Sequence, residues 1–552
     1  MNKRKIPSHF IYKIVHKDFL TKKYKTIRTR FPPEPNGYLH LGHAKSICLN
    51  FYIAKCFQGE CYLRFDDTNP ETKHQKYIES IKHDIKWLKF KWNKSVHYSS
   101  DYFEKKYHFA IELIKKNLAY VEELSLDDIR KYRGSLTKIG KNSPYRNRSI
   151  QENLYLFKQM RLGNFSEGTA CLRAKIDMTS PFLIMRDPIL YRIRFKNHHR
   201  TQNKWCIYPT YDFSHCISDA IENITHSLCT LEFQDNRQLY NWILKNISIR
   251  FISKQYEFSR MNLEYTVMSK RKLKILVKNN IVDGWDDPRM PTISGLRRRG
   301  YTPLSIRTFC DRIGITKQNS IINISALESC IKKELNITAM RFMAVINPVL
   351  LIFENLPDKF EKLIEVPNHP SNYAMGKRKI FFNKKIYIDR SDFSEKSNLL
   401  YKRLSLGKTV KLRHAYVIRA NRIEKNKKGQ VTTIFCTCYQ NYNDHINLIN
   451  PNKIGIIHWV SAKKNIPSEF RFYHNLFTHI NPDIIKNFLS FLNENSLKIY
   501  HGFIESSVTR DHVKHPIQFE RIGYFFADCR YYSDIYPVFN LITYISKFWK
   551  ID

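Results

Sequence analysis

Two histidines, a lysine cluster, a carboxylate and a tyrosine are the residues of this chain on which chemistry could rest. His40 and His43 bracket Leu41-Gly42. Imidazoles at that spacing, where a helix begins, can both point at the same phosphates, and the helix end adds unpaired N–H groups and positive potential. Gly42 between them allows a ligand to approach the backbone closely. Lys270-Arg271-Lys272 places three cations in a short loop, an anion site by charge, although a solvated basic turn fits charge alone better. Asp66 stands at a strand's carboxyl end, where a carboxylate can hold a substrate ammonium. The same Asp66-Asp67-Thr68-Asn69-Pro70 cluster also reads as an Asx turn, with Asp67 or Thr68 capping the next helix. Tyr211 follows a strand, where its hydroxyl could orient a polar ligand. A bare His-x-Gly-His is equally compatible with an inert surface loop, so the surrounding elements must decide.

Those elements alternate. Residues 26–31 read as a short strand, 32–43 as a Pro/Gly-broken loop and 44–57 as a helix. A strand follows at 60–65 and a helical pattern at 71–92. Residues 101–210 interrupt the α/β rhythm with a helix at 101–118, a Gly/Pro/basic loop at 131–145, and strands at 171–177 and 190–195 that carry basic residues on one face. A basic-faced sheet with an apolar loop tip can grip an RNA end, while an ordinary α+β subdomain with solvated charges fits the same text. The α/β pattern resumes at 205–235 and 256–260, and 272–338 is mainly helical. From about residue 339 short alternating runs separated by turns predict an all-β half, built as barrels.

Length and composition bound the answer. With 552 residues the chain exceeds one core and suggests roughly three or four domains. Lys+Arg total 92 against 50 Asp+Glu, a net charge of +42, which favours a polyanionic partner. The richness in Lys, Ile, Asn and Tyr also fits an AT-biased genome, so part of the excess is compositional. None of the 12 cysteines forms a C-x-x-C pair, and Cys436 and Cys438 share one face of a strand, so neither a zinc ribbon nor a disulfide framework is expected. No apolar run suits a signal peptide or approaches the ~20 residues that span a bilayer. The expectation is a soluble cytoplasmic protein.

The longer string Pro32-Pro33-Glu34-Pro35-Asn36-Gly37-Tyr38-Leu39-His40-Leu41-Gly42-His43, followed in order by Val267-Met268-Ser269-Lys270-Arg271, resembles the two signatures of class I aminoacyl-tRNA synthetases. The form is that of the glutamine/glutamate subclass, and over nearly the whole chain the resemblance is to the bacterial glutaminyl-tRNA synthetase family. Residues 64–70, 208–235 and 285–300 carry it further. It implies a Rossmann-type catalytic domain with an inserted α+β acceptor-stem domain, a helical subdomain and C-terminal β-barrels. The boundaries read from the text are 1–100 (lead-in and first Rossmann half), 101–210 (inserted acceptor-end domain), 211–260 (second half), 261–338 (signature loop and helical subdomain) and 339–552 (two anticodon-binding barrels).

The resemblance also implies a two-step reaction. ATP with Mg²⁺ and glutamine give glutaminyl adenylate, and the acyl group then moves to the 2′-hydroxyl of the terminal adenosine of tRNA(Gln). His40, His43 and Lys270 would stabilise the phosphates. Glu34, Pro35, Asn36, His40, Leu41, Gly42, His43, Ala44, Lys45, Ser46, Thr230, Arg260, Met261, Met268, Ser269 and Lys270 match ATP-contacting positions. Met261 stands where Leu is common, and Val267 and Arg271 depart from the ideal text. Asp66 would bind the glutamine ammonium and Tyr211 its amide, with Arg30, Cys229 and Gln255 lining the pocket. For tRNA, Leu136 would wedge open the first acceptor pair and Asp235 would read the acceptor stem. Thr316, Lys317 and Asn323 match a further contact stretch, and Arg341, Arg403, Arg413, Gln518 and Arg521 match anticodon contacts. Leu400 replaces a common Gln. No protein-bound metal and no obligate protein partner are implied, and a monomer is.

A glutamate-specific relative would be expected to neutralise its substrate's side chain with a cation. Tyr211, Cys229 and Gln255 are uncharged and Arg30 alone keeps that alternative open. A small-molecule nucleotidyltransferase would not need the basic insert or the β half. A non-catalytic RNA-binding relative should have lost His40, His43, Asp66 or Lys270, and all are present.

Overall fold

A computed structural model describes residues 9–71, 75–396, 401–440 and 454–545. The chain divides into two compact units, Met1–Asn262 with Cys310–Ile322, and Leu263–Phe309 with Asn323–Asp552.

In the first unit, Arg28–Phe31 and Glu60–Phe65 pair in parallel, and His97–Tyr98 extends the sheet. Parallel strands need a crossover, and the Leu41–Cys56 helix supplies it, burying Ala44, Ile47, Leu49, Phe51 and Ile53. A second parallel pair, His226–Thr230 with Lys254–Phe258, joins at the other edge. There Thr225 N donates to Arg28 O at 3.0 Å and Arg28 N to Thr225 Oγ1 at 2.9 Å. Between the two pairs, Ala119–Glu122, Cys171–Ala174, Ile189–Ile193 and Ile207–Pro209 form an antiparallel four-stranded sheet in chain order. The helices Phe103–Lys115 and Ile150–Leu162 accompany it. Its core, with Phe157, Leu172, Leu190 and Ile207, runs on into Phe213, Cys216, Leu239 and Ile243 of the returning helices. The inserted sheet is therefore anchored to the parallel half by shared burial rather than by a linker.

The second unit carries the helices Lys270–Lys278, Ile293–Arg299 and Ser325–Thr338 and two seven-stranded sheets. In one sheet the two edge strands are Arg341–Phe342 and Ala344–Val345, separated only by Met343. In the other they are Ile456–Ile457 and Trp459–Ser461, separated only by His458. Edges that are consecutive in the chain must meet in space, so each sheet curls into a near-closed barrel with no long free edge. Apolar residues alternate inward along Pro348–Phe353 and Val431–Tyr439, as a barrel wall requires.

Several sequence expectations change. Arg173, expected on a basic face of the inserted sheet, is fully buried, with Nη1 2.8 Å from Glu122 Oε2 and Nε donating to Asp187 O at 2.6 Å. That face is thus not a uniform RNA-facing surface. Among the described residues the Asp67 carboxylate accepts from Ser100 N and Oγ at 2.9 and 2.7 Å, and residues 72–74, which lead into the next helix, lie outside them. The 71–92 helix is observed as Gln75–Trp87, and the helix at 44–57 begins earlier, at Leu41. Lys270, Arg271 and Lys272 are the first turn of a helix rather than loop residues. Leu400 lies outside the described residues. Among the described residues no helix is long and apolar enough to cross a membrane.

Candidate active site

The Leu41–Cys56 helix starts on an imidazole cap. His40 Nδ1 accepts from Gly42 N at 3.1 Å, and His43 Nδ1 accepts from His40 N at 3.1 Å, a reciprocal capping box built from two rings whose centroids are 3.8 Å apart. Because both Nδ1 atoms accept, a neutral ring at either position carries its proton on Nε2. The pair is set as two donors beside a helix N-terminus. Leu41 and Ala44 are buried, so their backbone is what they offer a ligand. Lys45 is not an outward cation: its Nζ donates to Ser259 O at 2.9 Å, and burial pushes its ammonium down to about 8. Ser46 O accepts from Asn50 at 3.0 Å. In the preceding loop Pro35 is buried and Glu34 exposed; Asn36 N donates to Glu34 O at 2.9 Å, and Asp66 N donates to Pro33 O at 3.1 Å. Thr230 and Arg260 converge on Glu232, at 3.3 and 2.8 Å, and Met261 is buried.

Beside this loop lies a fully buried charge network. Arg64 Nε donates to Asp66 Oδ1 at 2.9 Å, and its Nη1 reaches Asp219 Oδ1 at 2.8 Å and Glu222 Oε2 at 3.0 Å. Arg30 Nε donates to Asp219 Oδ1 at 3.0 Å, Nη1 to Leu228 O at 2.8 Å and Nη2 to Ser227 Oγ at 2.8 Å. His215 Nε2 lies 2.9 Å from Arg30 Nη2. Its Nδ1 lies 3.3 Å from Arg64 Nη2 and 3.8 Å from Asp66 Oδ2, so guanidinium donors face both ring nitrogens. That Oδ2 is buried and has no hydrogen-bond partner. Burial would raise Asp66, but Arg64 and His215 outweigh it and hold the carboxyl below its ordinary range. Burial, with Asp66 adding, keeps the Tyr211 phenol well above its ordinary value, and burial pushes the Cys229 thiol up to about 12. Both groups are neutral near pH 7.

One helix makes this possible. Tyr211–Ile221 presents Tyr211, His215 and Asp219 four residues apart, one face over two turns, and Glu222 follows at its C-cap. Tyr211 stacks on His215 at 4.9 Å and leans on Phe233 at 5.2 Å. Gln255 Nε2 donates to Phe233 O at 2.9 Å and to Glu257 Oε1 at 3.1 Å. Cys229 Sγ lies 3.8 Å from Tyr256 O. The sequence resemblance singles out Arg30, Asp66, Tyr211, Cys229 and Gln255 but not the residues that surround them here, Arg64, His215, Asp219, Glu222 and Ser227. The four-residue spacing from Tyr211 was the available signal.

In the second unit, Asp483 clamps the Met268-Ser269-Lys270 stretch. Its Oδ2 accepts from Met268 N at 2.8 Å and its Oδ1 lies 3.3 Å from Ser269 N. Lys270 is the first residue of its helix. Lys272, counted earlier among three anion-binding cations, is spent on the carbonyls of Pro482, Asp483 and Ile485 at 3.1, 2.6 and 2.8 Å.

The remaining candidates lie on surfaces. Leu136 is 81% exposed, and Asp235, Thr316 and Lys317 are exposed. Asn323 donates to Glu264 at 2.6 Å. Arg341 and Gln518 are paired neighbours on parallel strands, and Arg341 Nε and Gln518 Oε1 are buried without hydrogen-bond partners. The other barrel cations are neutralised by carboxylates the sequence did not single out. Arg521 grips Asp392 through two bonds of 2.6 and 2.7 Å. Arg403 lies 3.4 Å from the same Asp392, and Arg413 lies 2.8 Å from Glu520.

Asp67, His198 and His199 come within metal-ligand distance of one another. The His198 ring is already committed, with Nε2 on Asp67 O at 2.7 Å and Nδ1 accepting from Arg200 N and Thr201 N at 3.2 Å. Ligation would cost those bonds, so the trio reads as a strut behind Asp66.

Family models described as tRNA synthetases class I (E and Q) match this chain, the catalytic domain over residues 26–337 and the anti-codon binding domain over 339–439 and 456–528. A glutamine–tRNA ligase of Sodalis glossinidius is 58% identical over 543 residues, 98% of each chain. One from Proteus mirabilis is 60% identical over 523 residues, 95% of this chain and 94% of that one. The crystal structure of a glutamate-tRNA synthetase from Elizabethkingia anophelis covers 57% of this chain and 71% of that one, at 19% identity and a TM-score of 0.43.

Proposed function

The chain belongs to the class I tRNA synthetases of the glutamate and glutamine type, and on that premise we propose that it ligates L-glutamine to the 3′-terminal adenosine of tRNA(Gln), using ATP and releasing AMP and pyrophosphate. The observation that carries the choice of amino acid is the commitment of Arg30. Its Nε and both terminal nitrogens are engaged by Asp219, Leu228 O and Ser227, which leaves a poor counter-ion for a glutamate side chain. A neutral amide meets the Tyr211 phenol, able to donate and accept, beside Gln255 and Cys229. A site built to hydrogen-bond its substrate rejects an analogue that leaves buried groups unpaired by large factors, without editing. The unpartnered Oδ2 of Asp66 suits the α-ammonium.

In the first step the glutamine carboxylate attacks the α-phosphorus of ATP, which enters with Mg²⁺ as its substrate complex. The bond to the pyrophosphate oxygen breaks. The Nε2–H groups of His40 and His43 donate to phosphate oxygens as charge grows there, and Lys270 neutralises charge on the leaving group. Glu34, Asn36, Thr230, Arg260 and the backbone of residues 41–46 and 261 hold the nucleotide. In the second step the 2′-hydroxyl of the terminal adenosine attacks the acyl carbon and AMP leaves. No side chain acts as a covalent nucleophile, so the protein contributes positioning and charge stabilisation.

Residues 101–210 act as the inserted acceptor-end domain, with Leu136 parting the first acceptor pair and Asp235, Thr316 and Lys317 along the stem. The barrels of 339–552 read the anticodon. Arg341 and Gln518, paired neighbours on parallel strands, supply side chains that can donate to and accept from a base edge. The enzyme works as a cytoplasmic monomer.

The test is aminoacylation of matched glutamine and glutamate tRNAs with labelled glutamine or glutamate. Charging of the glutamine tRNA by glutamine alone is expected. Charging with glutamate would overturn the reading of Arg30 while leaving the adenylate chemistry in place.

A further inference from the structure

The loop that carries Leu136 is built on one buried cation. The Leu126–Arg133 helix ends at Gly134, whose φ of +74° is left-handed. The chain then closes on itself: Ser135 N donates to Lys138 O at 3.0 Å, Lys138 N to Ser135 Oγ at 3.2 Å, Gly140 N to Met178 O at 2.9 Å and Lys141 N to Tyr132 O at 2.7 Å. A Cβ at Gly134 would stand 2.5 Å from Lys138 O. Leu136 and Ile139 project from this frame, 81% and 69% exposed. Beneath them lies Arg186, 2% exposed. Its Nη1 donates to Arg133 O, Ser135 O and Lys138 O at 3.0, 2.9 and 2.8 Å, and its Nε to Ser180 O at 2.7 Å.

These bonds end on backbone carbonyls. A guanidinium taken out of water is costly unless its donors find acceptors, and here the loop's own carbonyls take up Nη1 while Ser180 O takes up Nε. The loop cannot open without stripping the cation, so cation and loop hold each other in one form. Lysine cannot substitute: its donors sit on a single nitrogen, and the fork that reaches Ser180 on one side and the loop on the other is lost.

We infer that Arg186 is a positioning residue for opening the tRNA acceptor end, holding Leu136 as a wedge whose ordering is complete before the tRNA arrives. The inference rests on the reading that Leu136 enters the first acceptor pair. A preordered loop avoids the ordering cost that binding would otherwise incur, and that saving matters most when the pair to be broken is strong. An already unpaired end needs no wedge.

The experiment uses the full chain and three tRNA(Gln) transcripts whose first pair is G–C, A–U or mismatched, with Arg186→Lys, Leu136→Ala and the parent enzyme. Folding is checked by thermal melting. For Arg186→Lys, kcat/KM is expected to fall about tenfold on the G–C transcript, equivalent to one ordered side chain or short segment. It should fall less on A–U and recover to within roughly twofold on the mismatch, with KM for glutamine unchanged. Should Arg186→Lys not fold, Gly134→Ala serves instead. It leaves the guanidinium in place and displaces the Lys138 carbonyl, which Arg186 Nη1 holds, together with that of Ile139, and must show the same dependence on pair strength. Equal losses on all three transcripts would overturn the inference, since support of the fold alone is blind to the pair. If Leu136→Ala is itself indifferent to the pair, the wedge reading fails and takes the inference with it. If Leu136→Ala shows the pattern and the loop variants do not, only the role of Arg186 is lost.

Discussion

A glutamate side chain entering the proposed amino-acid pocket would need a cation with donors to spare, and the two arginines beside it are engaged by protein acceptors. Arg30 and Arg64 share Asp219, whose carboxyl burial would raise but Arg30, His215 and Arg64 hold far down. Glu222 is the imbalance in the network. Burial pushes it up to about 7 from an ordinary 4.5, with Arg64 opposing and Asp219 and Asp66 adding to the rise. The folded state therefore keeps a proton that the unfolded chain releases near pH 4.5. The stability tied to that proton is whole below the lower value and is lost as pH climbs toward the upper one. Glu222→Gln removes the titration. Between about pH 5 and 7.5 the Tm of the parent should decline relative to the variant, read by thermal melts in matched buffers. Parallel profiles would show that Glu222 keeps an ordinary value in the network.

The element with the most at stake is the Leu41–Cys56 helix, because its cap and its proposed catalytic donors are the same two rings. Capping and phosphate donation use different nitrogens, Nδ1 and Nε2, and can be separated. His40→Asn keeps a good N-cap acceptor, whereas His40→Ala loses one, at about 1 kcal/mol of stability. Both remove the phosphate donor and should lower kcat by on the order of a hundredfold. Thermal unfolding should thus distinguish the two variants while the aminoacylation rate does not. Retention of kcat by His40→Asn would reduce His40 to a structural cap. The helix itself was legible in the text, since its apolar rhythm is local. That both imidazoles turn Nδ1 inward was not, because it depends on how the backbone enters the helix at His40, φ −118° and ψ 175°.

At the scale of the molecule the net charge of +42 admits both a polyanion partner and compositional drift. Salt separates them. If about five phosphates are neutralised, kcat/KM for tRNA should fall with log salt at a slope of roughly −4, from counterion release, while KM for ATP changes little. A slope near zero would assign the surplus lysine to composition. The basic stretches read from the text were poor guides here. Arg173, Lys45 and Lys272 are all turned inward onto protein acceptors, so charge counted along the chain overstates charge on the surface.

The alternation of strand and helix, the change to β structure after residue 339 and the helix start at residues 40–43 proposed to bind phosphate were legible in the sequence itself. Each rests on local periodicity, turn chemistry or a short motif. The tertiary structure decided which charges remain available. Arg30 and Asp219 are 189 residues apart and Arg64 and Asp219 155 apart, so no window of sequence joins them. Barrel closure is of the same kind. Arg341–Phe342 and Ala344–Val345 are adjacent in the chain yet form opposite edges of one sheet, because their partners, Ile517–Phe519 and Leu497–Glu505, lie more than 150 residues away.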